Sequence, residues 1–275
     1  MRKSVRHPVL VSSVRRSAII FLSGVTFIGV AGCAERLNDS GVVQLALEAS
    51  SANSAVQVRD FRFYVHDVEL LDRSGRAHPF LLQPDGMWQD ERVALVDLVG
   101  DGEEDRHSQL RGRIGAQVEG LVGIRFTVGV PFDLNHSEVL KASPPLNRGD
   151  LFWSWQAGYK FLRVDLAEQS KEWSFHLGST GCASASALRP PQSPCAQPNT
   201  FTVELKGFNP LEEPVRVELS ELIDAMRAPD AGTCTGGYAH DSTCSIAFET
   251  TGLNVRTGSC EPGICSGQRL FSVRQ

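Results

Sequence analysis

The chain has 275 residues, 41% hydrophobic, 21% charged and 8% aromatic, an ordinary globular composition that excludes disordered, collagenous and coiled-coil classes. Its 27 Lys and Arg against 32 Asp and Glu give a net charge of -5, so no basic footprint points to nucleic acid. The 25 Gly and 14 Pro favour short strands joined by turns over a helical bundle.

The first element is an export signal. Arg2, Lys3, Arg6, Arg15 and Arg16 precede an apolar run from Ala18 to Val30, shorter than the roughly 20 residues of a bilayer span. The run ends in Val30-Ala31-Gly32-Cys33, which resembles a bacterial lipobox. Residues 1–32 are therefore expected to be a lipoprotein signal peptide, with Cys33 lipidated and 33–40 a tether. Ala34 after the cysteine favours the outer membrane, periplasmic or surface-facing. Five of the 27 basic residues and none of the 32 acids lie in 1–32, so the mature chain carries about -10, which suits a cationic partner or metal ion.

From residue 41 to 275 the pattern is that of one β domain. Val42–Leu47 reads as a strand. Val56–Val65 alternates, with Phe61, Phe63 and Val65 on one face. Val68–Leu71, a turn at Asp72-Arg73-Ser74-Gly75-Arg76, and His78–Leu82 read as a hairpin. Val93–Leu98, Gly123–Val130, Tyr159–Leu166, Trp173–Leu177, Phe201–Leu205 and Val215–Leu219 continue the series. One helix is expected, Leu219–Arg227, with Ser220 as its N-cap. The expectation is all-β: an antiparallel sandwich, jelly-roll-like, with long disulfide-stapled loops.

Apart from Cys33, six cysteines remain: Cys182, Cys195, Cys234, Cys244, Cys260 and Cys265. An even set in an oxidising compartment argues for disulfides rather than a zinc-thiolate site, and no CxxC pair or CxxCH haem motif is present. Local closures, Cys182–Cys195, Cys234–Cys244 and Cys260–Cys265, order the least chain, but about 15 connectivities are open.

No nucleophile elbow, P-loop, zincin or dinucleotide motif occurs, so the chain is not expected to be an enzyme. The acidic run Asp101-Gly102-Glu103-Glu104-Asp105 lacks the alternate-ligand spacing of an EF-hand and reads as a solvated turn. His66 ends a strand and precedes Asp67, a possible acceptor for its ring nitrogen. His136 follows a loop, and His176 alternates with Phe175 and Leu177. His78, His107 and His240 fall in polar turns and are expected to be solvated. Trp153 and Trp155 project from one side of an extended segment, either as core aromatics or as oxidisable indoles.

Several longer strings resemble the MbnP family of periplasmic copper-binding proteins, also described as the four-Cys-motif member of a metallo-mystery pair. They are Phe61-Arg62-Phe63-Tyr64-Val65-His66-Asp67-Val68, Gly129-Val130-Pro131-Phe132 with Asn135-His136, Pro145-Leu146-Asn147, Phe152-Trp153-Ser154-Trp155-Gln156 with Gly158-Tyr159-Lys160-Phe161-Leu162-Arg163-Val164-Asp165, and Phe175-His176-Leu177-Gly178-Ser179-Thr180-Gly181-Cys182. The resemblance implies a β-rich copper-binding lipoprotein for copper acquisition or handling, with histidine ligands assigned to His66, His136 and His176. It also implies a dihaem cytochrome c peroxidase-like partner of the MauG type, which oxidises a tryptophan to kynurenine: Trp153 or Trp155, with Trp88 behind. Cys182, Cys195, Cys234 and Cys244 correspond to the family's set, and Cys260 and Cys265 are additional. Neutral nitrogen ligands in low number favour Cu(I), and imidazole suits copper generally. The competing expectation is a structural or adhesive disulfide-stapled β-sandwich lipoprotein with no metal.

Overall fold

A computed structural model describes residues 39–48, 55–102, 105–115, 118–228, 232–235, 242–260 and 263–274. The signal segment 1–32, Cys33, most of the tether, Glu103, Glu104 and His240 lie outside the described residues. Among the described residues no helix is long and apolar enough to cross a membrane.

The fold is all-β, with mainly antiparallel pairing. Its hub is β2 (Val56–Asp72), 17 residues long, which changes partners along its length. Its first half pairs with β9 (Leu162–Glu168) on one edge and β4 (Val93–Asp97) on the other. Its second half pairs with β6 (Leu121–Val128) and β3 (Ala77–Leu82). Beyond β9 lie β10 (Lys171–Leu177) and β13 (Cys234–Thr235). Beyond β6 lies β11 (Phe201–Lys206). Beyond β3 come β5 (Gln109–Ile114), β1 (Asp39–Glu48), β12 (Val215–Glu218) and β14 (Phe271–Ser272). Two pairings, β1 with β12 and β10 with β13, are parallel.

The predicted strands 56–65 and 68–71 are one strand interrupted by a bulge. The pairing of β2 with β6 shifts register between His66 and Glu69, and Asp67 adopts φ 49°. The physical reason lies in the alternation. Phe61, Phe63 and Val65 face the main core at odd positions, whereas Val68 and Leu70 face it at even ones. One extra residue resets the period, so both halves keep their apolar face inward. The hairpin turn follows as expected: Asp72 Oδ1 accepts from Ser74 N at 2.8 Å and Arg76 N at 3.1 Å, and Gly75 takes φ 83°.

The main core holds Phe63, Phe126, Phe175, Phe201 and Phe271 among others. Phe271 makes edge-to-face contacts with Phe63 and Phe126 at 5.4 and 5.2 Å. A second, smaller cluster lies on the opposite face of β2 and β4, where Tyr64, Val93 and Leu95 pack under Val130, Leu146, Leu151, Tyr159 and Phe161. The segment 130–161 covers this face. It contains α1 (Phe132–Asn135) and the short hairpin of β7 (Phe152–Ser154) and β8 (Gly158–Tyr159). Tyr64 and Tyr159 donate their hydroxyls to the carbonyls of Pro145 and Leu146, which satisfies both buried phenols.

The expected helix is α2 (Ser220–Arg227), but Leu219 occupies the N-cap and no side chain caps the first turn, so Ser220 is not the cap. A second helix of comparable length, α3 (Ser242–Thr251), was not expected. Its buried side chains include Cys244, Ala247, Phe248, Thr250 and Thr251, a short stripe in which only Ala247 and Phe248 are apolar besides the bridged cysteine. The Thr250 and Thr251 hydroxyls bond back to the carbonyls of Ile246 and Phe248, which makes their burial tolerable. The three disulfides are the local closures: Cys182–Cys195, Cys234–Cys244 and Cys260–Cys265. The second ties α3 to β13.

Candidate metal centre

His66 is the last residue of β2 before the bulge. Because Tyr64 faces the second cluster, alternation aims His66 to the same side, away from the main core. It is 8% exposed. Its Nδ1 lies 3.0 Å from Asp67 Oδ2. A carboxylate oxygen can only accept, so Nδ1 carries the proton and Nε2 presents its lone pair. The left-handed turn at Asp67 is what brings the carboxylate of the very next residue onto the ring. Nε2 is buried and has no hydrogen-bond partner, a costly state for a polar atom unless something fills the site.

That ring lines a cavity of about 190 Å³ walled by Pro131, Phe132, Asn135, Phe161 and Cys195. Three of these walls also surround His136, the residue that ends α1. The Phe132 ring meets its imidazole edge-to-face at 5.1 Å. Asn135 Nδ2 lies 3.1 Å and Cys195 Sγ 3.6 Å from His136 Nε2. On the other side Nδ1 lies 3.1 Å from the Trp155 carbonyl oxygen, which again places the proton on Nδ1. Both imidazoles therefore have the tautomer used for metal ligation through Nε2. Burial pushes both below the ordinary imidazole value; Asp67 partly opposes the shift at His66, and the Trp155 carbonyl does so at His136.

The frame around His136 is Asn135, 1% exposed. Its Oδ1 accepts from Tyr159 N at 2.7 Å, and its Nδ2 donates to Ser179 Oγ at 2.9 Å. Sequence reading missed Asn135, Ser179 and the proximity of Cys195. The Asn135-His136 dipeptide was the available signal, but the partners come from distant segments.

His176 is placed differently. It sits on β10, and its Nε2 lies 2.7 Å from Asp165 Oδ1 on β9. Arg163 lies beside it, bonded to Asp165 and Asp60, while Arg62 bonds Asp60 and Asp150. Burial alone would raise the Asp165 carboxyl, but hydrogen bonds from His176, Ser174 and Arg163 hold it well below the usual range. His176 thus belongs to a charged ladder across β2, β9 and β10 and is not a wall of the cavity.

The two neighbouring tryptophans do not share one extended run. β7 ends at Ser154, and Trp155 opens the turn, 36% exposed. Trp153 is half-buried with its ring against Gly178, where an added Cβ would fall 2.5 Å from Cζ3. Trp88 stacks flat on His107 at 5.2 Å, with Arg148 Cζ 4.8 Å from its ring. His107 also lies 2.8 Å through Nδ1 from the Leu95 carbonyl, and His78 Nε2 lies 2.8 Å from Asp72 Oδ2. Neither is the solvated turn histidine expected. Both sit where a strand partner or turn carboxylate was close enough to hold the ring.

The lowered pKa values carry a sign. Below about pH 6.5 an unfolded imidazole takes up a proton that buried His66 and His136 resist. The unfolded state then binds more protons, so stability falls as pH drops through the ordinary value toward the depressed native ones. Thermal melts of the metal-free protein between about pH 8 and 5.5 are expected to show this loss, and a His66→Gln/His136→Gln variant is expected to reduce it to the share of His107, which burial also lowers.

Among the described residues one group of potential metal ligands converges: His136, Cys182 and Cys195 have ligand atoms within 4.8 Å of one another. The two cysteines are bonded to each other, so His136 is the available donor of that group as the protein stands.

The MbnP family model matches residues 35–236. Among solved structures the chain is similar to MbnP from Methylosinus trichosporium, at 25% identity and a TM-score of 0.72, covering 86% of this chain and 98% of that one. No curated protein matches.

Proposed function

Because the chain belongs to the MbnP family, we propose that it is an exported, lipid-anchored protein that binds copper as cargo, as Cu(I), through His66 and His136. The reading is carried by the His66 Nε2 atom, which is buried and without a partner; its ring lines a cavity, and three of the cavity's wall residues, Phe132, Asn135 and Cys195, contact His136. Two neutral imidazoles at a mostly apolar cavity and its wall suit a soft monovalent ion, which needs few ligands and little compensating charge. In this reading the protein is a binder rather than an enzyme, and it serves copper acquisition or handling.

A dihaem cytochrome c peroxidase-like protein of the MauG type would oxidise one of its tryptophans to kynurenine. Trp155, tied to His136 through its carbonyl, and Trp153, packed on Gly178, are the favoured positions. Trp88 is disfavoured because the guanidinium of Arg148 over its ring opposes the positive charge of an indole radical cation. His176 is left to the charged ladder.

The experiment is isolation of the lipid-anchored protein after co-expression with such a partner. Bound copper is expected near one equivalent, and the tryptic peptide Gly149–Lys160, which contains Trp153 and Trp155, is expected at the mass of a residue that has gained one oxygen and lost one carbon. An unmodified peptide together with a copper-free protein would leave the metal-free structural reading in its place.

A further inference from the structure

We propose that the Cys182–Cys195 bridge closes a redox-gated metal site, an alternative to the His66–His136 pair because it takes His136 for itself, in which the two thiolates of the opened bridge and His136 Nε2 bind a soft or borderline cation. The donors are already together: the three ligand atoms lie within 4.8 Å, and Cys195 Sγ is 3.6 Å from Nε2. All three residues are buried, at 8, 8 and 7% exposure for His136, Cys182 and Cys195. The His136 ring is turned for the task, because the Trp155 carbonyl takes Nδ1–H and leaves the Nε2 lone pair on the sulfur side, where a cation would displace the Asn135 Nδ2–H that now donates to it at 3.1 Å.

The backbone around the bridge is held by other bonds. Thr180 N donates to the Gln197 carbonyl at 2.9 Å, Gln197 N to the Thr180 carbonyl at 3.0 Å, and Ala196 N to the Gly181 carbonyl at 3.2 Å. Gln156 Nε2 also donates to the Cys182 carbonyl at 3.0 Å. These bonds flank the bridge, so opening it leaves the backbone of both cysteines in place instead of releasing two free chain ends. Metal–sulfur bonds of about 2.3 Å require the sulfurs to part only to roughly 4 Å, which side-chain rotation supplies. The other two disulfides have no such histidine among the described residues.

The gating step is thiol–disulfide exchange with an exported dithiol reductant. One thiolate of the dithiol attacks a bridge sulfur, and its second thiol resolves the mixed disulfide. The bridge gains two electrons and two protons, and the dithiol leaves as a disulfide. Cation entry then displaces the two thiol protons, leaving two thiolates and a neutral imidazole as ligands. Because Cys195 also lines the cavity reached by His66 Nε2, a fourth position is open to His66 or to an incoming ligand.

Cobalt(II) is the probe. The whole protein is reduced anaerobically with a phosphine, desalted and titrated with cobalt. One equivalent is expected to bind with a thiolate-to-cobalt charge-transfer band that the oxidised protein lacks. The Cys182→Ser/Cys195→Ser variant is expected to lose the band, and Cys234→Ser/Cys244→Ser to keep it. His136→Ala is expected to weaken cobalt binding by at least about 10-fold. A band that survives in Cys182→Ser/Cys195→Ser overturns the proposal. So does its absence from reduced protein whose Cys182 and Cys195 are shown free by alkylation. Loss of the strand circular-dichroism spectrum in Cys182→Ser/Cys195→Ser also overturns it, since an opened bridge must leave the fold standing. Copper binding by the oxidised protein is a separate measurement, so failure of the His66–His136 reading and failure of the thiolate site are told apart.

Discussion

Replacing His66 by alanine is expected to lower Cu(I) affinity by more than about 100-fold, while Asp67→Asn lowers it by about 10- to 100-fold. The two substitutions act at different points. His66→Ala deletes the only buried ring nitrogen in the cavity that lacks any partner among the described residues. Asp67→Asn keeps the ring but exchanges the carboxylate acceptor for an amide, which no longer enforces the Nδ1–H tautomer or raises the basicity of Nε2. Asp67 also holds φ 49°, and asparagine tolerates that backbone well. The bulge is therefore expected to persist, and the affinity change reports the loss of the carboxylate, its hydrogen bond and its charge together. Competition against a chromophoric Cu(I) chelator measures both. His176→Gln serves as the comparison: a loss as large as that of His66→Ala would place His176 among the ligands and defeat the two-histidine assignment.

The second large effect is expected at a glycine. Gly158 has φ 77°, and an added Cβ would lie 2.3 Å from Asn135 Oδ1 and 2.5 Å from its Cγ and Nδ2. Asn135 cannot move cheaply, because it bonds Tyr159 N, Ser179 Oγ and His136 Nε2 within a buried setting. Gly158→Ala combines left-handed strain of about 1–2 kcal/mol with the rupture of buried hydrogen bonds at about 1–3 kcal/mol each. A loss of about 3 kcal/mol or more is expected, read as a fall in Tm of roughly 6–12 °C. Copper affinity is expected to fall with it, since the Asn135 frame orients His136. Gly149→Ala is the matched control: a Cβ added there would meet no atom within 4 Å, and its φ is not in the left-handed region, so a change within about 0.5 kcal/mol is expected. Equal melting temperatures for the two variants would remove Asn135 from its framing role.

The strand readings that held rest on a period of two with one buried face. Phe61, Phe63 and Val65 on β2, and Trp173, Phe175 and Leu177 on β10, announce their inward side residue by residue. The bulge was also written in the chain, as the change from odd to even apolar positions between Val65 and Val68, though Asp67 itself looks like any polar residue. α3 was hard to read, because its stripe has few large apolar residues: beside Ala247 and Phe248, Cys244 is buried through a disulfide and Thr250 and Thr251 through back-bonded hydroxyls. His107 looked solvated because nothing local reveals the Trp88 ring stacked on it.

Local chemistry thus determined, from the amino acids alone, the strand class, the inward faces, the Gly75 turn and the helix at 220–227, since each depends on neighbours a few residues away. The closures joining Cys182 to Cys195, Cys234 to Cys244 and Cys260 to Cys265 were the least costly option by the same logic. Which imidazole lines the cavity and which packs behind its wall was decided only by long-range closure. β2 carries His66 to the face that the segment 130–161 later covers, and that cover brings His136 and Asn135 with it. His176 was drawn instead to Asp165 by cross-strand pairing of β9 with β10, a partnership set by sheet register.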